Sequence, residues 1–311
     1  MRSWRQMMRV VSTVLGFVLS VAVTAGAQVQ ERSGVLLLAH GGQSQWNERV
    51  AAVAKAVDAT EPTEVAFGMA SRASIQAAVD KLTARGVTSI VAVPLFVSSH
   101  SSVITSTEYL LGLRPEAPAD LKIFAKMDHS SHGAPAAAAG EHAAHLPAVD
   151  PASPITTTLP VRMTAAFNRH PLIAQIVADR ARSISKAPAS EAVILVAHGP
   201  VPDDDNRRWL DDMKVLAAQV QAAAPFASVD YLTVRDDAGP AMREAATKDL
   251  RDRVERQAAA GRTVLIVPHL MSFGGIEQGI RKRLEGLPYV MTAQALMPDE
   301  RIARWVLASL Q

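Results

Sequence analysis

The chain has 311 residues, of which 49% are hydrophobic and 20% are charged, a balance typical of a packed globular protein. Its formal net charge is only +2 and aromatic residues make up 5% of it, so nucleic acid is excluded as an expected partner. The sequence contains no cysteine, which excludes a disulfide framework and any thiolate metal site.

The first 27 residues are predicted to be a signal peptide. Arg2, Arg5 and Arg9 form a basic segment, residues 10–23 form an apolar segment, and residues 25–27 (AGA) fit a small-residue cleavage site. An uncleaved membrane anchor is the alternative, but about fourteen apolar residues fall short of the roughly 20 that a spanning helix needs. We therefore expect an exported protein, periplasmic in a Gram-negative source, without stable membrane insertion after cleavage.

In the next part of the chain, apolar runs of strand length alternate with helix-like patterns. The predicted elements are a strand at 35–39, a helix at about 46–59, a strand at 64–69, a helix at about 73–85 and a strand at 90–96. This order at short spacing is typical of right-handed βαβ units in a parallel sheet. We assign residues 34–187 to a first domain.

Residues 127–150 interrupt this domain. They are rich in Ala, Pro and Gly and contain four of the nine histidines of the chain, His129, His132, His142 and His145. Such a composition buries too little apolar surface to order itself, so a flexible insertion is predicted. Two interpretations stay open: a low-complexity insertion without consequence, or an accessory loop that collects metal ions through its imidazoles.

The second half of the chain repeats the first. Residues 35–42 (VLLLAHGG) recur as residues 193–200 (VILVAHGP), and residues 90–96 (IVAVPLF) recur as residues 264–270 (VLIVPHL). A third pair of similar segments, 161–165 and 290–293, precedes a terminal helix in each half, at about 171–187 and 298–310. This repeat is far longer than a solenoid repeat, so it indicates two homologous domains.

The second domain is assigned to residues 190–311. Its other predicted elements are a helix at about 204–224, a strand at 228–234 and a helix at about 238–261. The predicted fold class is α/β, with two tandem domains that each contain a doubly wound, mostly parallel sheet.

Each half places a histidine at the carboxyl end of a strand, where open α/β sheets bind ligands. In the first half, His40 follows the first strand and His100 lies in the loop 97–102 (VSSHSS) after the third. Two imidazoles can hold a divalent metal and leave positions open, as in catalytic sites. We predict His40 and His100 as metal ligands and catalytic residues. The alternatives are a satisfied strand-end histidine for His40 and a solvated loop histidine for His100.

In the second half, the available metal ligands are His198, His269 and Glu277. His269 lies within a predicted strand, so a role in the core is its alternative. Gly274 and Gly275, in the loop after that strand, allow the backbone to approach a flat ligand or to offer N–H groups to an anion.

These segments carry a resemblance to a known family. The strand that ends in Ala-His-Gly, the Val-Pro-Leu-Phe strand with its Ser-rich loop, and residues 167–173 (FNRHPLI) resemble the CbiX/SirB family of sirohydrochlorin chelatases, which are class II chelatases. The resemblance covers nearly all of the mature chain in two copies. It implies two chelatase-like domains that face one another and a lyase-type activity. Its substrates would be a divalent metal (cobalt, iron or nickel) and a tetrapyrrole, with no organic cofactor.

The resemblance also implies site residues. The family's first histidine falls on His40 and on His198, and its second falls on His100 if a short gap is allowed, or on Ser102 without one. The family's glutamate falls on Met69, so the acid that would orient a histidine and receive charge is missing at that position.

Residues that would bind the tetrapyrrole are less clearly indicated. A polycarboxylate ring needs cations at the rim of its pocket, and Arg235, which directly follows a strand, is the best placed. Ser98, Ser99, Gly274 and Gly275 complete the predicted pocket.

Two hypotheses follow from the sequence. The first is an exported chelatase that inserts a divalent metal into a sirohydrochlorin-like ring, with histidine as ligand and base. The second is a non-catalytic periplasmic metal- or tetrapyrrole-binding protein on the same scaffold, because fold alone does not settle function.

Overall fold

The structure is a computed structural model that describes residues 32–127 and 149–311. The predicted signal peptide and the four histidines of the 127–150 insertion lie outside the described residues. Residues 32–127 and 149–311 belong to one compact unit, within which the predicted boundaries at 34–187 and 190–311 stay a prediction. In the described ranges, no helix has the length and apolar character needed to cross a bilayer.

The first half forms a four-stranded parallel sheet with strand order β2-β1-β3-β4. Its strands are β1 (Ser33–Ala39), β2 (Thr63–Phe67), β3 (Ser89–Pro94) and β4 (Val161–Met163). Its helices are α1 (Ser44–Asp58), α2 (Arg72–Ala84), α3 (Ser102–Leu110), α4 (Leu121–Phe124) and α5 (Pro171–Arg182). The predicted strands and helices of this half are confirmed within a few residues, whereas α3 and α4 were not predicted.

The second half repeats this arrangement in the order β6-β5-β7-β8, again all parallel. Its strands are β5 (Glu191–Ala197), β6 (Ser228–Thr233), β7 (Thr263–Pro268) and β8 (Val290–Met291). Its helices are α6 (Asp203–Ala223), α7 (Pro240–Ala259), α8 (Ile276–Arg283) and α9 (Glu300–Ala308). The predicted fold class, two parallel-sheet α/β units, is therefore confirmed.

Strand alternation divides the hydrophobic core into three layers. In β1, Val35 and Leu37 belong to a central core, whereas Leu36 and Leu38 belong to an outer one, as expected when successive side chains point to opposite faces. The central core contains residues of both sheets and of α1, α5, α6 and α9. Helices α2, α3 and α4 cover the outer face of the first sheet, and α7 and α8 cover that of the second. The two halves thus share one buried interior.

Charged residues also connect the halves. The guanidinium of Arg180, on α5, donates to the carbonyl oxygens of Ala295 (2.8 Å) and Leu296 (3.2 Å). Arg301, on α9, donates to Asp179 at 2.6 Å and to Asp299 at 2.7 Å. Burial raises the pKa of Asp299, but hydrogen bonds from the side chain and backbone of Arg301 outweigh it and hold this pKa below its ordinary value.

Candidate functional site

His40 lies at the carboxyl edge of the first sheet, directly after β1. The next residue, Gly41, has a φ of 80°, a conformation that glycine adopts without steric cost. The Nδ1 atom of His40 lies 2.7 Å from the carbonyl oxygen of Gly41. Because a carbonyl can only accept, Nδ1 carries the proton in this bond, and the neutral ring has its lone pair on Nε2. This is the tautomer in which a metal-binding histidine is commonly held by a backbone carbonyl.

The loop after β3 is held by its own serines. The hydroxyl of Ser98, which is 3% exposed, accepts a hydrogen bond from the backbone N–H of His100 at 3.1 Å. The N–H of Ser99 donates to the side-chain oxygen of Asn168 at 2.8 Å, and its hydroxyl accepts from the N–H of Ala166 at 2.9 Å. These hydrogen bonds shape the loop that carries His100, and the substrate contacts of Ser98 and Ser99 stay a prediction.

The imidazole of His100 faces the second half of the chain. Its Nε2 atom lies 3.6 Å from Oδ2 of Asp212, on α6, and Arg169 Nε lies 3.8 Å from Oδ1 of the same carboxylate. The indole N–H of Trp209, one turn earlier on α6, donates to the carbonyl oxygen of His100 at 2.6 Å. Burial raises the pKa of Asp212 above its ordinary value, and attraction to His100 and Arg169 offsets part of that rise.

His40 and His100 follow neighbouring strands, because β1 and β3 pair in parallel and both end at this edge. That the two imidazoles share one metal ion stays a prediction. The position of the missing acid is also explained, since Met69 packs against the outer core of the first sheet. An apolar side chain at position 69 stabilises this core, whereas a carboxylate there would have to lie outside it.

The second half repeats the turn but not the surroundings of its histidine. Gly199 follows His198 with a φ of 76°, as Gly41 follows His40. The Nε2 atom of His198 lies 3.4 Å from Oδ2 of Asp237 in the loop after β6. The two Ala-His-Gly histidines therefore have different partners, one a backbone carbonyl and the other a carboxylate.

His269 lies in the core. Its N–H donates to the carbonyl oxygen of Val196 at 2.8 Å, as the N–H of Leu95 donates to that of Leu38 at 2.8 Å, so His269 occupies the position of the fully buried Leu95. The residue is only 2% exposed, and its Nδ1 has no hydrogen-bond partner among the residues that the structure describes. Burial lowers the pKa of His269 to about 4, so this imidazole is neutral at ordinary pH.

Glu277, in the first turn of α8, bonds to the backbone at the start of that helix. Its Oε2 accepts hydrogen bonds from the backbone N–H groups of Gly274 (3.1 Å) and Gly275 (2.9 Å), close to the start of α8. These N–H groups do bind an anion, but that anion is the carboxylate of Glu277, in the first turn of α8. The predicted ligand contacts of Gly274 and Gly275 stay a prediction.

The predicted second metal site is therefore not assembled. Across residues 32–127 and 149–311, no group of three or more His, Cys, Asp or Glu side chains is placed to hold a metal ion. The three available ligands of this half have different surroundings, because His198 faces Asp237, His269 lies in the core and Glu277 bonds to the backbone at the start of α8. Their individual roles as metal ligands stay predictions.

Arg235 bonds to the turn between β5 and α6, and its predicted substrate contact stays a prediction. Its guanidinium donates to the carbonyl oxygen of Pro200 at 3.1 Å, to that of Val201, and to the carboxylate of Asp203 at 2.7 Å. Its side chain is only 11% exposed. These bonds fix the turn between β5 and α6, so the cation does not lie at an open rim.

Asp212 and Trp209 were not identified in the sequence. The sequence pattern could have identified Asp212. The buried residues Trp209, Met213 and Leu216 define the inward face of α6, and Asp212 lies beside that face. A carboxylate on the buried side of an amphipathic helix needs a partner, and the structure shows that His100 and Arg169 are its partners.

Loop contacts across the halves occur in both directions. As α6 reaches the loop after β3, the guanidinium of Arg49 on α1 donates to the hydroxyl of Ser272, in the loop after β7, at 2.5 Å. A Cβ atom on Gly274 would lie 4.0 Å from the indole of Trp46. The loop of each sheet therefore contacts the first helix of the other half.

Comparisons with known proteins agree with this architecture. Residues 34–184 match the family model described as CbiX. The fold is similar to that of SirB from Bacillus subtilis, whose structure was solved with Fe3+; the TM-score is 0.58 at 16% identity, over 90% of this chain and 94% of that one. A multi-domain protein from Deinococcus radiodurans, described as structurally similar to chelatases, gives a TM-score of 0.49 at 17% identity, over 89% of this chain and 54% of that one. The comparison with curated protein sequences gives no significant match.

Proposed function

Because residues 34–184 match the CbiX family model, we propose that the protein is an exported metal chelatase. It inserts a divalent cation, which is cobalt, iron or nickel, into a sirohydrochlorin-like tetrapyrrole. The predicted signal peptide supports the exported location, and the family supports metal chelation as the reaction class.

One observation carries the proposal, namely the hydrogen bond between His40 Nδ1 and the carbonyl oxygen of Gly41 at 2.7 Å. It orients the imidazole at the carboxyl edge of the sheet and assigns the lone pair to Nε2. A neutral imidazole with this lone pair binds a divalent cation directly. Once the cation has moved to the ring nitrogens, the same atom can accept a proton.

The reaction balances without redox chemistry. Two pyrrole N–H bonds break, four nitrogen–metal bonds form, and the two protons pass to His40 and to solvent. His40 Nε2 acts first as metal ligand and then as base, while His100 supplies the second imidazole. The cation is a substrate and leaves within the product.

A non-catalytic metal- or tetrapyrrole-binding protein is the second candidate. Met69 at the position of the family's acid favours it, since a packed methionine cannot assist proton removal. The accessory metal loop predicted at residues 127–150 would then load the cation.

Anaerobic mixing of the purified protein with Co2+ and sirohydrochlorin distinguishes the two. A chelatase accelerates the change in the absorption spectrum above the spontaneous rate, and we expect His40→Ala to lose about 100-fold or more of that acceleration. His170→Asn is a matched control, because His170 Nδ1 caps α5 by accepting the N–H of Leu172 at 3.2 Å and asparagine also caps helices. If the wild type binds Co2+ but does not accelerate insertion, the chelatase proposal is wrong and the non-catalytic binding protein takes its place.

A further inference from the structure

The carboxylate of Asp212, on α6 of the second half, faces the imidazole of His100 in the first half. It projects from α6 and is 13% exposed, while the imidazole of His100 is 30% exposed. Its Oδ2 is buried and has no hydrogen-bond partner in the structure. A buried carboxylate oxygen in this condition is uncommon in folded proteins and calls for a cationic or N–H partner.

The nearest such partner is His100. Its Nε2 lies 3.6 Å from Asp212 Oδ2, which is within ion-pair range and a few tenths of an ångström beyond a hydrogen bond. Arg169 approaches the other oxygen, with Nε at 3.8 Å from Oδ1. The loop itself is held against α6 by the bond from Trp209 to the carbonyl oxygen of His100, so the two side chains are kept together.

We propose that Asp212 is the positioning residue of His100, so that the metal site on the first sheet is completed by a helix of the second half. The inference rests on the proposed role of His100 as a metal ligand. The carboxylate accepts the Nε2 proton, which places the lone pair of the neutral imidazole on Nδ1, the atom left to bind the cation. Carboxylates that orient metal-binding histidines in this way raise the basicity of the ring.

The arrangement differs between the two histidines. His40 is oriented by a backbone carbonyl of its own turn, whereas His100 is oriented by a side chain from the other half. The first half alone therefore contains both imidazoles but only one of the groups that orient them.

The test measures Co2+ affinity of the full chain without any tetrapyrrole, so its result does not depend on catalysis. We expect Asp212→Asn to raise the Kd for Co2+ by about 10- to 100-fold, and Asp212→Glu to recover most of the affinity. Asp211→Asn is the matched control, because Asp211 is the exposed neighbour on the same helix and its loss leaves the Kd unchanged. Circular dichroism of each variant verifies the fold.

A double variant separates positioning from other roles. If Asp212 acts through His100, His100→Ala with Asp212→Asn binds Co2+ no more weakly than His100→Ala alone. Additive losses, or an unchanged Kd in Asp212→Asn, would overturn the proposal. If the wild type binds Co2+ with this dependence but does not accelerate insertion, the chelatase proposal fails and the role of Asp212 stands.

Discussion

The indole N–H of Trp209 donates a hydrogen bond of 2.6 Å to the carbonyl oxygen of His100, although the two residues belong to opposite halves of the repeat. This bond fixes the loop after β3 against α6. The position of His100 is therefore set by the second half as well as by its own sheet.

Replacement of Trp209 by Phe removes this bond and keeps most of the buried aromatic surface. We expect a loss of about 1 kcal/mol in the free energy of unfolding and a severalfold rise in the Kd for Co2+, because the loop that carries His100 loses an anchor. Leu216→Val, at a fully buried position of the same helix, should lower stability by about 1 kcal/mol without changing that Kd. Equal Co2+ affinity in Trp209→Phe and the wild type would contradict the anchoring role.

Replacement of His269 by Leu should stabilise the protein and change its response to acid. The pKa of His269 is about 4 in the fold, against about 6.5 for the unfolded chain, so the unfolded state takes up the proton first. Stability therefore falls as the pH drops from about 6.5 to about 4, by roughly 3 kcal/mol in all. The variant lacks this loss, and at neutral pH it also lacks a buried nitrogen without a partner.

Urea unfolding of both proteins between pH 4 and pH 8 measures the difference. The stability difference between variant and wild type should grow as the pH falls and level off near pH 4. Parallel pH profiles would mean that His269 titrates normally and is accessible to water.

Replacement of Asp299 by Asn should weaken the contact between the halves. Asp299 caps α9 by accepting the N–H of Arg301 at 3.0 Å and pairs with the guanidinium of the same residue; we expect a loss of about 2–4 kcal/mol at neutral pH. The pKa of Asp299 is lowered in the fold, so its stabilising effect is present above the unfolded value of about 3.9 and disappears as the pH falls through the folded value.

Glu300→Gln is the control for this variant. The carboxylate of Glu300 is 87% exposed and pairs with Arg304 on the surface of the same helix, so its removal should change stability by no more than about 0.5 kcal/mol. Thermal unfolding at pH 7 compares the two variants directly, and similar losses would show that the buried network contributes little.

Two glycines in left-handed conformations should differ in their tolerance of alanine. Gly261 has a φ of 73° and no atom within 4 Å of the place where a Cβ would lie, so Gly261→Ala carries only backbone strain, about 1–2 kcal/mol. Gly199 has a φ of 76°, and a Cβ there would lie 2.5 Å from Cβ of Thr233, which adds a steric clash. Gly199→Ala should cost roughly 3 kcal/mol or more, measured by urea unfolding. Equal losses would mean that β6 moves freely away from the turn.

The fold was predictable because its signals are local. Each buried strand is a short apolar run, and the repeated Ala-His-Gly and Val-Pro segments fix the correspondence of the halves. Helix α3 was missed because its residues 102–110 (SVITSTEYL) are rich in β-branched and hydroxyl side chains, which have low helix propensity. Its formation depends on packing against the outer core.

The site was only partly predictable. The sequence placed His40 and His100 at one sheet edge, but the carboxylate facing His100 belongs to a distant part of the chain and depends on how the halves pack. His269 had two interpretations in the sequence. The structure favours the core because strand alternation continues one residue past β7. The roles of Glu277 and Arg235 were missed because both side chains bond to nearby backbone groups. A sequence pattern does not show such bonds.

Both sheets belong to a single polypeptide and pack around a common layer of helices. A substitution in one sheet therefore has no counterpart in the other. A symmetric pair of identical subunits would carry every change twice. In the single chain, the first half has His100 in the loop after its third strand. The second half has His269 in its core, and its Asp212 contacts His100 of the first half. The backbones of the two halves are therefore pseudosymmetric, whereas side chains at equivalent positions have different roles.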